Sequence, residues 1–160
     1  DALPISRLSK LDNGEYDAII LASAGLKRLG LEQRIRHHVA SDMSLPAVGQ
    51  GALGLECRDQ DQAVLDLIAP LAHAETQYCV RAERAFNAYL EGGCQVPIAG
   101  FATLKGEHLH IEGRVGSVDG TVLLKASLEG TVEQAEQLGV QLAQQLLAQG
   151  AGELLKALHH

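Results

Sequence analysis

The sequence predicts an α/β segment followed by an α+β domain, the latter a three-stranded antiparallel sheet with helices. Two patterns carry this. Ala18-Ile19-Ile20-Leu21-Ala22 is an unbroken apolar run followed at once by a helical turn, as in a strand covered on both faces of a parallel sheet. Beyond it, residues 98–128 alternate apolar and polar with period two, between two stretches of helical period.

Arg7 to Asn13 reads as a short amphipathic helix with Leu8 and Leu11 inward, stopped at Asn13-Gly14. After the apolar run, Ala24 to Leu29 makes a helical turn carrying Lys27 and Arg28 and ending near Gly30. The connection between strand and helix lies at the strand's carboxyl end, where α/β folds bind ligands. Leu45 to Ala52 is uncharged, with one proline and with glycines flanking Gln50, the composition of a hinge or a turn. Gly54 to Arg58 reads as a strand with Cys57 packed. Asp59 to Leu71 is the next helix, capped by Asp59 or Asp61.

The helix from Thr76 to Leu90 buries Val80, Phe86 and Leu90, with Cys79 on or beside that face. Three strands follow. Ile98 to Leu104 is the first, Leu109, Ile111, Gly113 and Val115 mark the second, and Val122, Leu124, Ala126 and Leu128 the third. Turns at Lys105-Gly106-Glu107 and Val118-Asp119-Gly120 make them an antiparallel meander. Thr131-x-x-Gln134 is a capping box opening a long helix whose inner face is Val132, Ala135, Leu138, Leu142 and Leu146. Gly150 and Gly152 end it.

Composition narrows the function. The 160 residues are 46% hydrophobic and 21% charged, enough to enclose a core. A net charge of −7 argues against a nucleic-acid partner, and no apolar run is long enough to span a membrane. Three cysteines without CxxC spacing fit a reducing compartment and a cytoplasmic protein. Seven histidines never combine with cysteine in a zinc spacing, so no metal site is expected.

The loop Glu91-Gly92-Gly93-Cys94-Gln95-Val96-Pro97 is where chemistry is expected. The glycines stop the preceding helix through a left-handed C-cap, and Pro97 holds Val96 extended. Cys94 thus sits on a short, stiff connection. A packing cysteine is one reading and a nucleophile another. The helix C-terminus behind it disfavours the thiolate, which suits a thiol that reacts once and stays occupied.

Gly92-Gly93-Cys94-Gln95-Val96-Pro97-Ile98 and Leu45-Pro46-Ala47-Val48-Gly49-Gln50-Gly51-Ala52 closely resemble the hydroxymethylbilane synthase (porphobilinogen deaminase) family. Lys10-Leu11-Asp12, Tyr16 to Ala22, Ala24 to Leu31 and Ala82-Glu83-Arg84-Ala85-Phe86 extend the resemblance in order. Asp1 to Ser6 departs from the family's Arg-Gly-Asn-Val-x-Thr-Arg run, of which only Arg7 is kept. The resemblance implies a dipyrromethane cofactor held by a thioether to Cys94, with Arg7, Arg28 and Gln50 binding cofactor or substrate. It implies porphobilinogen and polypyrrole intermediates as partners and a monomeric protein. Residues 1–45 would belong to an incomplete periplasmic-binding-protein-like lobe, 46–72 to a hinge and return segment, and 73–160 to the C-terminal domain.

The family's catalytic aspartate has no counterpart here, so the chain is expected to be the C-terminal part of a longer protein and inactive alone. Arg114, on the meander and outside the matched motifs, is expected to tolerate leucine. Two rival classes stand beside this reading: a Cys–His hydrolase pairing Cys94 with His73 or His108, and a non-catalytic module that binds small anions.

Overall fold

A computed structural model describes residues 4–92 and 96–157 of the chain. Its longest helix, Ala74–Tyr89, is preceded by His73, whose Nδ1 accepts a hydrogen bond from the Thr76 amide at 3.3 Å. In chain order the helices are α1 (Pro4–Asp12), α2 (Ser23–Arg28), α3 (Gln62–Ile68), α4 (Ala74–Tyr89), α5 (Ala135–Ala148) and α6 (Ala151–Lys156). The strands are β1 (Ile98–Lys105), β2 (His108–Gly116) and β3 (Leu123–Thr131).

The three strands form one antiparallel sheet in the order β1-β2-β3, as the alternation predicts. Gly106, with φ of +63°, takes the first place of the two-residue turn joining β1 to β2, a conformation open to glycine. The capping box forms as read: Gln134 Oε1 accepts from the Thr131 amide at 3.1 Å, and a short 3-10 turn leads into α5.

Helices α4 and α5 cover one face of the sheet. Phe86, Leu109, Ile111, Val115, Leu142 and Leu146 are the largest side chains fully enclosed there. Gly100 and Gly113 are cross-strand partners and form a slot for the Phe86 ring; a Cβ on either would stand 2.7 Å from a ring carbon. Gly139 lets α5 approach α4 closely, because a Cβ there would collide with the Ala82 carbonyl and stand 2.8 Å from the Phe86 amide nitrogen. The opposite face carries His110, Glu112 and Arg114 at alternate positions of β2.

The chain divides into two units, residues 1–43 and 44–160. In the first, Leu8 and Leu26 are buried, and the Arg34 guanidinium grips the Asp12 carboxylate at the end of α1. The second holds the sheet, its helices and the whole hydrophobic core cluster. No helix among the described residues is long and apolar enough to cross a membrane.

Several expectations need correction. Ala18–Ala22 and Gly54–Arg58 are not strands, and Ile20 is 86% exposed. Strand geometry is held by hydrogen bonds to a neighbour, and no described segment pairs with either run. The α/β sheet predicted for residues 1–45 is therefore not present among the described residues. The helix expected from Asp59 begins at Gln62, with Asp61 as its cap. Arg114 is 7% exposed and its Nε donates to Glu112 Oε1 at 2.7 Å, which does not fit the expectation that it tolerates leucine.

Candidate functional site

The loop expected to carry the chemistry is pinned on both sides. On the helix side, the Gly92 amide donates to the Asn87 carbonyl at 2.9 Å, and Asn87 Nδ2 donates to the Gly92 carbonyl at 3.1 Å. A Cβ on Gly92 would meet the Asn87 side chain, which would have to move and give up its bond to the Gly92 carbonyl. Among the described residues of the stop, Glu91 takes the left-handed region, with φ of +53°, and Gly92 does not; Gly93 lies outside the described residues. On the strand side, the Gly116 amide donates to the Pro97 carbonyl at 2.9 Å and the Ile98 amide to the Val96 carbonyl at 2.8 Å. Cys94 itself lies outside the described residues, with Gly93 and Gln95.

The segment Leu45–Ala52 forms a turn in which Gln50 donates its amide to the Ala47 carbonyl at 2.9 Å, and Ala52 to Gly49 at 3.1 Å. Gly49 and Gly51 have φ of +70° and +88°, so both glycines beside Gln50 occupy the left-handed region. The Gln50 side chain is exposed and stands on one wall of a groove of about 310 Å³. The other wall includes Thr76, Cys79 and Glu83 of α4 and Phe101 of β1.

Glu83 is 4% exposed and accepts two backbone hydrogen bonds, from Gly49 at 2.7 Å and from Ala102 at 2.8 Å. Burial pushes its carboxyl above the ordinary glutamate range, and the two amides pull it part of the way back. The Cys79 thiol is raised as well, first by burial and then by the charges of Glu83 and Glu75. A thiol held protonated in this way is a poor nucleophile. His73, one partner of the hydrolase reading, spends its Nδ1 on the Thr76 amide and hydroxyl.

Arg7 lies on α1 and Arg28 closes α2, both exposed and both in the first unit. Neither guanidinium is engaged in a hydrogen bond or ion pair with a described residue. Gln50 belongs to the second unit, as does the loop between Gly92 and Val96. Glu83 lies within the Ala82-Glu83-Arg84-Ala85-Phe86 motif, but the motif alone gives it no distinct role. One signal was available: a carboxylate one turn before Phe86, adjoining Ala82 on the apolar face of α4.

Comparison with known families gives two matches. Residues 5–66 match the model described as porphobilinogen deaminase, dipyromethane cofactor binding domain. Residues 77–148 match porphobilinogen deaminase, C-terminal domain, a span that contains Cys94. With two domains of one enzyme matched in order along most of its length, the chain belongs to the porphobilinogen deaminase family, transferases of porphyrin biosynthesis with a dipyrromethane cofactor.

Proposed function

We propose that this chain supplies the cofactor tether and part of the carboxylate-binding set of a hydroxymethylbilane synthase, with Cys94 as the tether. The observation that supports the reading is the anchoring of the described residues on either side of the loop, Gly92 to Asn87 and Pro97 to Gly116. The donor set also fits the cofactor. A dipyrromethane bearing acetate and propionate chains needs one thiol and several cations, and Arg7 and Arg28 offer guanidinium groups not committed elsewhere.

When bound, the dipyrromethane supplies the free pyrrole carbon to which porphobilinogen units are joined with loss of ammonia. Cys94 contributes the sulfur of the thioether: a C–S bond forms at the aminomethyl carbon, and the thiol proton leaves with the amine as ammonia. The covalent link keeps the growing chain from diffusing away. Arg7 and Arg28 meet carboxylates with paired N–H groups, and Gln50 offers an amide at the rim of its groove. We assign no carboxyl of this chain as the acid for the departing amine; Asp12 in particular is committed to Arg34. The chain alone is accordingly expected not to release hydroxymethylbilane.

Residues 1–45 are read as part of a periplasmic-binding-protein-like α/β lobe, 46–72 as hinge and return segment, and 73–160 as the C-terminal domain. A monomeric, cytoplasmic protein suits the odd cysteine count and the free thiols of Cys57 and Cys79.

Intact mass tests the tether. The full-length enzyme of which this chain is read as a part should carry the added mass of a dipyrromethane. Cys57→Ser and Cys79→Ser should keep the gain and Cys94→Ser should lose it. A gain retained in Cys94→Ser overturns the assignment.

A further inference from the structure

Glu83 is a buried carboxylate that the chemistry above does not use, and its two oxygens fasten segments far apart in sequence. Oε2 accepts the Gly49 amide of the turn at 2.7 Å, and Oε1 accepts the Ala102 amide of β1 at 2.8 Å. Both lengths are those of charge-assisted bonds. Among the described residues strand β1 pairs only with β2 and is an edge of the sheet, so the Ala102 amide that reaches Glu83 faces away from its partner strand. One carboxylate therefore covers the sheet's edge and holds the turn against it.

The turn is stiff within itself. Gln50 bonds to Ala47, Ala52 bonds to Gly49, and glycines occupy both left-handed positions beside Gln50. A stiff turn moves as a body, so whatever fixes Gly49 also fixes the residue that follows it. Glu83 and Gln50 line the same groove.

We propose that Glu83 is a positioning residue: its carboxylate clasps the Gly49–Gly51 turn to the edge of the C-terminal sheet and thereby sets where Gln50 stands. The clasp rests on the two hydrogen bonds; what Gln50 does once placed rests on the function proposed above.

The residue type is demanding. Glutamine keeps the length but offers one acceptor and one donor, so one of the two amides would face an N–H group. Aspartate keeps both oxygens but lacks a methylene and cannot span both partners from the same helix position.

The test is amide hydrogen exchange on the full chain, with Glu83→Gln, Glu83→Asp and Glu83→Ala. In Glu83→Ala the Gly49 amide should exchange about tenfold faster or more, the change that loss of a hydrogen bond to a charged group gives. The amides of Ile111 and Leu142, in the core, should keep their rates. Glu83→Gln, close to isosteric, gives the reading if the alanine variant fails to fold, and it should release at least one of Gly49 and Ala102. Unchanged exchange at both amides in a folded variant overturns the clasp.

The rate of dipyrromethane uptake by the full-length protein supplies a readout that structural support alone would not move. Uptake should slow in Glu83→Gln and Glu83→Asp. Faster exchange at Gly49 with uptake at the unsubstituted rate overturns the positioning role. Absence of the dipyrromethane mass from the unsubstituted full-length protein counts against the tether proposed above, while exchange still decides the clasp.

Discussion

Glu83 and Asp119 give the chain two pH dependences of opposite sign. Burial raises the Glu83 carboxyl above the ordinary glutamate range, so between that range and the raised value the folded chain holds the proton more often than the unfolded one. Stability therefore falls as pH rises through that window, and the burial penalty is absent below it. The Asp119 carboxyl is lowered by the Ser117 hydroxyl first, then by the amide and hydroxyl of Thr121. Its contribution is present above the ordinary aspartate value and is lost as pH falls through the lowered one. Urea unfolding across a pH series separates the two. Glu83→Gln should flatten the falling limb above the ordinary glutamate range, and Asp119→Asn should flatten the acid side. A Glu83→Gln profile parallel to the unsubstituted one would show that burial of this carboxyl does not set the limb.

Among the elements, α4 and α5 meet at a contact that admits no side chain. A methyl on Gly139 would meet backbone, the Ala82 carbonyl and the Phe86 amide, and backbone gives way only if the helices part. Gly139→Ala should destabilise the chain by about 1–3 kcal/mol, as overpacking does, despite alanine's better helix propensity. Gly152 on α6 is the matched control. Its nearest neighbour is the Leu147 side chain at 3.6 Å, ordinary contact, and its φ is not in the left-handed region. Gly152→Ala should be neutral or stabilise by up to about 1 kcal/mol. Thermal unfolding of the two variants reads both; equal midpoints would mean that the helices part without cost.

For the whole molecule, the division at Met43 and Ser44 separates a small unit from the one that holds the core. Every member of the core cluster lies between Tyr78 and Leu155. A chain of residues 44–160 should therefore keep a single cooperative transition with the sheet signal intact, whereas residues 1–43 alone should show none. Circular dichroism and calorimetry of the two pieces check this. Loss of cooperativity in 44–160 would place part of the folding energy in the first unit.

Periodicity determined much of the fold. The strand alternation, the Thr131–Gln134 box and the inner face of α5 are set by residues within a few positions of one another, and the structure keeps all three. The family was legible for a similar reason, since its motifs are contiguous words. Pairing was not legible. Ala18–Ala22 has the composition of a buried strand, but a strand exists only through a neighbour that its own residues do not specify. Arg114 occupies an outward position of β2 by alternation, yet its surroundings enclose it. Glu83 shows the same limit at the candidate site. Its partners stand 34 residues before it and 19 after it, at backbone amides whose side chains give no sign of the bond. Contacts between neighbours in sequence are encoded by spacing, whereas bonds to distant backbone are decided only when the chain closes on itself.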